Sequence, residues 1–415
     1  MRTLTFSLYP TAPRLRNPAA RVCHNNGIFM TERLYYHDSY LRDFAARVVE
    51  TSGDGVTAYL DRTAFYPSSG GQPFDTGSIA EVPVIEVVDE GDRIAHRLAA
   101  PLRITAVDCS IDWRRRFDHM QQHTGQHLLS AVFEELFALH TVSFHLGQES
   151  STIDLEGGPV DGRIIQQAER RANEVVFENR PVAVEFQRAA EVQGLRKASE
   201  REGTLRIVTI EALDRSACGG THVRATGEIG PISIRKLDKI RQTVRVEFLC
   251  GSRAARRARA DFEALSKIAQ LFSAPADETP ALVAAQLEAA RAADKARRKM
   301  EMDLAAYQGR EVYETTAPRP DGIRRHVRRM AACSMEELRA LAQSFTAQPK
   351  AVFVAILENP ASVLYAVSVD SGIDAGQAMK QALAGVGGRG GGNARLAQGS
   401  VPDAALLERV LEGLR

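Results

Sequence analysis

The length, composition and charge of the chain indicate a multidomain globular protein. Its 415 residues are too many for one hydrophobic core, so we expect two to four domains. The hydrophobic fraction of 44% is ordinary, and a formal net charge of +1 excludes a global basic field but not a local basic patch. The sequence contains no run of eighteen apolar residues, so we predict no membrane span. Its five cysteines are scattered, which favours a reducing cytoplasm over a disulfide framework.

The N-terminal third of the chain predicts an extension followed by a β domain. Residues 1–29 have no clear period and no apolar signal region, and Met30 begins a more regular sequence. We interpret this segment as a flexible extension or as the result of a start codon placed too early. Residues 30–115 contain short alternating runs such as RVVET and VPVIEVVD, which predict a small sandwich or barrel with a Gly- and Pro-rich loop, AFYPSSGGQPFDTG.

Residues 116–251 predict an α+β domain. Apolar residues and histidines recur at three- and four-residue steps over 116–140, which indicates a helix, and a second helix is predicted over 161–179. The strand VAVEF, a helix near 189–202 and the strand LRIVTIE come next. The strands PISIRKL and TVRVEFL then complete the domain.

The C-terminal part predicts two further units, which makes the whole chain a multidomain α+β protein. Residues 252–309 are rich in Ala, Arg, Glu and Lys and predict a helical linker that is broken near Pro275 and Pro280. Residues 310–415 predict an α/β domain with the apolar strands AVFVAIL and SVLYAVSV and with helices near 334–346 and 402–414. The glycine-rich sequence GVGGRGGGNARLAQGS lies between the second strand and the last helix.

Two His- and Cys-containing motifs predict a metal site. Histidines four residues apart on a helix point from one face, and a turn containing two glycines lets both ends of CGGTH face inward. One thiolate and three imidazoles suit tetrahedral zinc, so the predicted ligands are His123, His127, Cys218 and His222. The first pair is not a metalloprotease motif, because Thr124 stands where that motif has its Glu. Four protein ligands leave both a structural and a catalytic zinc open.

The same motifs resemble a known family. HTGQHLLSAVF and CGGTHV resemble the editing domain of alanyl-tRNA synthetase and, more closely, the free-standing alanyl-tRNA-editing proteins of the AlaX type. The loop over 65–77 is similar to the glycine-rich signature of that family's β-barrel. The sequence FHLGQESSTIDL resembles the family's segment after the first helix of the editing domain, and GGRGGGNARLAQGS resembles the glycine-rich stretch of the synthetase's C-terminal domain. Ser68 and Ser69 depart from the family pattern, which more often has an acidic residue and a glycine there. Only about 90 residues precede the editing unit once the extension is set aside, so the resemblance implies a stand-alone editing factor of the long form.

The resemblance implies a cytoplasmic, zinc-dependent hydrolase of mischarged alanine tRNA. Its substrate is the ester that joins serine or glycine to the tRNA acceptor end, because a pocket for alanine cannot firmly exclude either amino acid. Zinc would either lower the pKa of a bound water to about 7 or hold the substrate while another group orients water, and four protein ligands favour the second. The polar candidates beside the metal are Thr124, Gln126, His145 and Thr152, and His119 is expected to support the site or contact RNA.

Two other functions fit the sequence. One is editing by a threonyl-type domain, which shares similar residue pairs, and the other is a zinc-stapled tRNA-binding module without catalysis. RNA contacts are predicted at the glycines of 385–392 with Arg389 and Arg395, and at basic residues over 114–116 and 235–241. The C-terminal domain is a candidate for homodimer formation.

Overall fold

The N-terminal part of the described chain is a closed β-barrel. The computed structural model describes residues 29–331 and 334–415, so the predicted extension lies outside the described residues except for Phe29. The first eight strands are β1 (Glu32–Arg33), β2 (Asp43–Thr51), β3 (Thr57–Leu60), β4 (Arg62–Thr63), β5 (Gly77–Ile79), β6 (Val82–Asp89), β7 (Ile94–Leu98) and β8 (Ala106–Ile111). The barrel order is β2-β3-β7-β6-β5-β8, and β1 pairs with β4 in parallel. The predicted sandwich or barrel is therefore confirmed as a barrel.

The barrel closes around the apolar faces of its strands. In β8, Val107, Cys109 and Ile111 are buried while the residues between them are exposed, as period-two alternation requires. These side chains join the barrel core with residues such as Leu60 and Ile94. The Gly- and Pro-rich sequence forms the connection between β4 and β5.

The next domain packs two helices against two antiparallel sheets. Its elements are α1 (Trp113–Phe137), β9 (His140–Leu146), β10 (Ser151–Glu156), α2 (Gly162–Glu178), β11 (Val182–Arg188), β12 (Thr204–Ile210), β13 (Asp214–Ala217), β14 (Ile232–Ile240) and β15 (Thr243–Cys250). One sheet has the order β14-β15-β10-β9 and the other β11-β12-β13. Buried side chains of both helices and both sheets form one core, so the α+β prediction is confirmed for this region.

Helix α1 is the central element of this domain. The Asp112 side chain accepts a hydrogen bond from the Arg115 N–H at its start, and Ala138 adopts the left-handed conformation (φ 53°) at its end. Every residue from His119 to Phe133 is buried, so the helix packs on all sides and not along one face. A Cβ at Gly125 would overlap Sγ of Cys250, which explains a glycine where the helix approaches β15.

One predicted helix is wrong. The chain near 189–202 forms only a 3-10 turn at Ala189–Glu191 and then runs without regular structure to β12. Gly194 and Gly203 adopt positive φ angles of 70° and 81°, which a helix does not accommodate. The residues between them are mostly exposed, so no buried face stabilises a helix there.

The C-terminal part contains two long helices and a five-stranded sheet. Its elements are α3 (Gly251–Phe272), α4 (Thr279–Thr315), β16 (Arg324–Met330), α5 (Met335–Thr346), β17 (Ala351–Leu357), β18 (Ser362–Val367), α6 (Ala375–Ala384), β19 (Arg389–Gly392), β20 (Leu396–Ser400) and α7 (Leu407–Leu414). The sheet order is β16-β17-β18-β20-β19, with β16 and β17 parallel and the other pairs antiparallel. The helix break is confirmed, since Pro280 lies in the first turn of α4.

The glycine-rich stretch is a β-hairpin and not the turn that its composition suggests. Strands β19 and β20 pair through it, and a Cβ at Gly390 would overlap Gly399 and Leu383. The glycines thus allow close approach of the hairpin to α6 within the domain itself.

The multidomain α+β class with a small N-terminal barrel is confirmed. A first compact unit ends at Ala264 and a second begins at Leu265. The finer boundaries at 115, 251 and 309 and the layout of the linker stay predictions. Among the helices of residues 29–331 and 334–415, none is long and apolar enough to cross a membrane.

Candidate metal centre

Two elements bring the four predicted ligands together. Helix α1 supplies His123 and His127 from consecutive turns, with imidazole centroids 5.3 Å apart. The loop after β13 supplies Cys218 and His222. The three histidines are at most 5% exposed, while Cys218 is half-buried. The two motifs therefore share one place in the fold despite their separation in sequence.

The spacing of the ligand atoms suits one small ion. One ligand atom from each of the four residues lies within 4.8 Å of all the others. Sγ of Cys218 lies 3.4 Å from Nε2 of His123 and 3.4 Å from Nε2 of His222. Sulfur and nitrogen ligands of a tetrahedral zinc lie about 3.5 Å apart, given the usual bond lengths. These contacts therefore have the spacing of metal ligands.

Each of the three imidazoles is oriented by a hydrogen bond at Nδ1. His123 donates to Oε1 of Gln72 over 2.8 Å, His127 pairs with Oδ2 of Asp214 at 2.8 Å, and His222 lies 3.1 Å from Oγ1 of Thr124. Because Nδ1 is occupied in every case, Nε2 is the nitrogen that faces the centre. Outer partners of this kind fix the tautomer and orientation of metal-binding histidines.

The charges around the cluster favour the ligand form of the thiol. Burial acts to raise the pKa of Cys218, but the charge of His123 and the hydrogen bonds from the neighbouring imidazoles outweigh it and hold that pKa well below its ordinary value. Burial and the charge of His123 lower the pKa of His222 to about 3. A thiolate and a neutral imidazole are the forms that bind metal.

Asp214 provides a fixed negative charge behind His127. Burial acts to raise the pKa of Asp214, but the hydrogen bond from His127 offsets it and lowers the pKa to about 2. The same carboxylate accepts from Nε of Arg196 at 2.7 Å and from Oγ of Ser216 at 2.9 Å. A buried carboxylate with these partners stays ionised and holds the imidazole in place.

The Gly- and Pro-rich loop of the barrel completes the cluster. Oε1 of Gln72 also accepts from the backbone N–H of Thr221 at 3.1 Å, and its Nε2 donates to Oγ1 of Thr221 at 2.8 Å. A Cβ at Gly220 would overlap the His123 ring, so the loop after β13 needs glycine there. One amide thus joins the barrel loop to both metal-binding motifs.

The cluster lies at the wall of an open cleft of about 780 Å³. Gln126, Phe144 and the irregular segment over 196–202 line this cleft beside the cluster. Lys197 and Arg201 are exposed in this segment, and neither forms an ion pair within the part of the chain that the structure describes. The exposed Glu200 and Glu202 line the same segment and balance these two charges, so the cleft is open to a large ligand that reaches the cluster but is not selective for an anion through this segment.

The other predicted site residues divide into two groups. Thr124 and Gln126 lie at the cluster, where Oγ1 of Thr124 also accepts from the Val223 N–H at 3.2 Å and Nε2 of Gln126 donates to Ser130 at 2.9 Å. His145 and Thr152 form a cross-strand pair between β9 and β10. His145 lines a different cleft, so the structure does not bring this pair to the cluster.

Sequence reasoning missed Gln72 and Asp214. Gln72 lies in a loop singled out for its glycines, but no spacing rule links it to a histidine 51 residues later. Asp214 stands four residues before Cys218, and the need of a buried histidine for an outer carboxylate is the signal that would have found it.

Comparison with known proteins is consistent with this architecture. Residues 205–246 match the threonyl and alanyl tRNA synthetase second additional domain, and residues 324–415 match the DHHA1 domain. The alanyl-tRNA editing protein AlaX-L of Pyrococcus horikoshii is 30% identical over 90% of this chain and 95% of its own length. The alanine–tRNA ligase of Pyrococcus abyssi is 30% identical, and the match covers 92% of this chain but 43% of the ligase. The alanyl-tRNA editing protein Aarsd1 of Bos taurus is 35% identical over 52% of this chain and 54% of its own length. Because the match to AlaX-L runs through nearly the full length of both proteins, this chain belongs to the AlaX-L family of alanyl-tRNA editing proteins.

Proposed function

We propose that this protein is a zinc-dependent deacylase that removes serine or glycine from mischarged alanine tRNA. The observation that carries the proposal is the cluster of three imidazoles and one thiol at the wall of an open cleft. Membership of a family named for alanyl-tRNA editing supports the substrate class. A pocket for alanine cannot firmly exclude glycine or serine, so a separate hydrolytic site has a clear purpose.

Zinc fits the donor set better than a hard cation does. His123, His127, Cys218 and His222 would hold it, because one sulfur and three nitrogens suit a borderline-soft ion and do not suit magnesium or calcium. When bound, zinc supplies positive charge that polarises an ester or lowers the pKa of water. Gln72, Asp214 and Thr124 hold the three imidazoles in orientation through their hydrogen bonds.

The cleft supports binding of the acceptor end of tRNA. Lys197 and Arg201 lie in the segment that lines it, and both are available for backbone phosphates next to the terminal nucleotide. The cleft, with a volume of about 780 Å³, has room for a nucleotide and its aminoacyl group. Basic side chains at the rim therefore position the substrate, and the cluster at the wall meets its ester.

Gln126 is the polar side chain that we assign to substrate recognition. It lines the cleft beside His123 and His127, and its Nε2 is already bonded to Ser130, which leaves the amide oxygen for a substrate hydroxyl or amino group. Thr124 acts through His222 and not on the substrate. We assign no role at the ester to His145 or Thr152.

We also propose the roles of the remaining regions. Residues 30–115 form the domain that orients His123, residues 116–251 the editing domain and residues 252–309 a helical linker. Residues 310–415 contact tRNA and mediate a homodimer. We further propose that the protein acts in the cytoplasm, where it would meet this substrate.

The proposal is tested by incubating the protein with seryl-, glycyl- and alanyl-tRNA specific for alanine and measuring release of each amino acid. We expect serine or glycine to be released much faster than alanine, and we expect His123→Ala and Cys218→Ala to release none above background. Circular dichroism spectra that match that of the wild type show that both variants are folded, so that their loss of activity reflects the lost ligand. Absence of release from all three substrates by the wild-type protein overturns the proposal.

A further inference from the structure

A second cleft lies on the other side of the barrel loop from the metal cluster. Gly70 lines the cleft at the cluster, whereas Phe74 and Thr76 of the same loop line the second cleft, which measures about 750 Å³. Strand β9 divides in the same way, since the Phe144 ring packs on His123 and the next residue, His145, lines the second cleft. The two clefts are therefore neighbours that share their walls.

The second cleft carries an excess of positive charge. We call it the basic cleft and define it by Arg114, Arg115, His119, His145 and Arg256. Four arginines line the cleft, and within the described residues Arg114, Arg115 and Arg256 form no ion pair with a carboxylate, whereas Arg253 does. Nε of Arg115 donates to the backbone oxygen of Phe74 at 2.9 Å, and Nη1 of Arg256 donates to Oγ of Ser252 at 3.2 Å.

The two acidic residues of the same cleft, Asp112 and Asp118, leave an excess of positive charge, because only Asp112 keeps its charge without an ion pair among the described residues. Asp118 accepts from Nε of Arg253 at 3.0 Å and from its Nη2 at 2.6 Å, so its charge is neutralised by a nearly buried arginine. Asp112 accepts from the Arg115 N–H at the start of α1. The first turn of α3 adds its partial positive charge at Ser252, which also lines the cleft.

His119 provides an unused hydrogen-bond donor in this cleft. It is only 4% exposed, lines the cleft, and its buried Nδ1 has no hydrogen-bond partner among the described residues. A buried polar atom without a partner costs free energy that a bound ligand or water can offset, so His119 is a candidate contact for an anion in the cleft. Burial and the charge of Arg115 lower the pKa of His119 to about 4, which keeps the ring neutral with one N–H to donate.

We infer that the basic cleft binds a backbone phosphate of the tRNA whose aminoacyl end lies at the metal cluster. This inference rests on the proposed function, which puts the aminoacyl end of the tRNA at the metal cluster. His119 precedes His123 by about one helical turn, about 6 Å along the axis of α1, so the basic cleft begins close to the cluster. An RNA strand whose 3′ end lies at the cluster reaches the basic cleft with a phosphate further from that 3′ end. The cleft is larger than one phosphate, so it has room for the sugar beside it as well.

The experiment measures the Kd of deacylated tRNA for the full chain as a function of potassium chloride concentration. We expect R114A/R256A to weaken binding and to reduce the slope of log Kd against log salt by about 1 for each arginine that contacts a phosphate. His119→Phe is expected to weaken binding and His119→Gln, which keeps an N–H donor, to weaken it less. In seryl-tRNA hydrolysis the effect of R114A/R256A is expected in KM and not in kcat.

Arg103→Ala is the matched control, since Arg103 is exposed, lies outside the cleft and forms no ion pair within the described ranges. An unchanged Kd and salt slope in R114A/R256A overturn the inference. An alternative result is that NMR spectra show millimolar inorganic phosphate saturating a site at His119 while the variants leave the affinity for tRNA unchanged. That result would assign the cleft to a small anion and would also overturn the inference. Binding of deacylated tRNA needs no catalysis, so a wild-type protein that binds tRNA through these arginines but releases no amino acid contradicts only the proposed function.

Discussion

The Nδ1–H of His123 donates a 2.8 Å hydrogen bond to Oε1 of Gln72, which lies in the barrel loop between β4 and β5. Gln72 is 1% exposed and uses its amide to hold Thr221, between Cys218 and His222, at the same time. The barrel is therefore part of the proposed metal centre. A free-standing domain that lacked this loop would leave a buried imidazole N–H without an acceptor.

Replacement of Gln72 is expected to weaken zinc binding. In Gln72→Ala the His123 ring loses its acceptor, and loss of such an outer partner typically lowers metal affinity about 10- to 100-fold. Competition with a chromophoric chelator measures this affinity. Gln166→Ala on the exposed side of α2 is the control and should bind zinc as the wild type does. Equal affinities for both variants would show that the hydrogen bond has no effect on the site.

The sequence predicted the parts of this site that follow local rules. The spacing of His123 and His127 and the turn at Cys218 each follow from helix and glycine geometry. The contact between Gln72 and His123 depends on how the barrel loop packs on α1, and no local pattern encodes it. The wrong prediction of a helix near 189–202 also comes from relying on local sequence alone. The positive φ of Gly194 prevails over local helix propensity, and the segment lines the cleft.

The fold of the C-terminal region shows a related limit. The strands β17 and β18 are buried along their whole length, so their apolar runs are visible in the sequence. The hairpin of β19 and β20 consists largely of glycine and small residues, which propensity assigns to loops. Its pairing depends on close backbone approach, and this is visible only in three dimensions.

Removal of the metal is expected to abolish activity before it unfolds the protein. The barrel and the α+β domain each have their own hydrophobic core apart from the four ligands, so the fold does not depend on zinc alone. Parallel measurements of circular dichroism and seryl-tRNA hydrolysis during chelation distinguish the two effects. Activity should return when zinc is added back. Loss of the circular dichroism signal in step with activity would indicate a structural zinc.

The barrel is expected to lose stability in mild acid through His96. This imidazole is completely buried, its Nδ1 donates to the Ala58 carbonyl at 3.1 Å, and its Nε2 accepts from Thr63 at 2.8 Å. Burial lowers its pKa from 6.5 to about 4, only partly offset by the bond to Ala58. Because the unfolded chain binds the proton more readily, stability is full above pH 6.5 and falls as the pH drops toward 4.

The His96 effect is measurable by urea unfolding of the wild type and of His96→Gln at pH 7.5 and at pH 4.5. The lowering of the His96 pKa from 6.5 to about 4 corresponds to a loss of about 3 kcal/mol in the free energy of unfolding once His96 is fully protonated. The variant should therefore lose less stability on acidification than the wild type. His140→Gln changes a side chain that is 60% exposed and should follow the wild type. An identical loss in wild type and His96→Gln would assign the acid sensitivity to other groups.

Arg116 and Asp75 form the ion pair that anchors the barrel loop to α1, and both side chains are completely buried. Nε of Arg116 donates to Asp75 at 3.1 Å and its Nη1 to the Ser39 carbonyl at 2.8 Å, while the Tyr66 N–H donates to Asp75 at 2.7 Å. Arg116→Met leaves a buried carboxylate without its cation, so we expect a loss of about 3–5 kcal/mol in the free energy of unfolding.

The double variant R116M/D75L tests whether the pair stabilises the protein or only positions the loop. It removes both charges, so it should recover much of the stability that Arg116→Met loses, because buried pairs often contribute little against well-packed apolar side chains. Zinc affinity should stay low in both variants, since the loop that carries Gln72 has lost its buried ion pair with α1, although it keeps the bond from Arg115 to the Phe74 carbonyl. Urea unfolding and chelator competition measure the two quantities separately. If the double variant regained wild-type zinc affinity, Gln72 would be held by the rest of the loop, and the ion pair would contribute to stability alone.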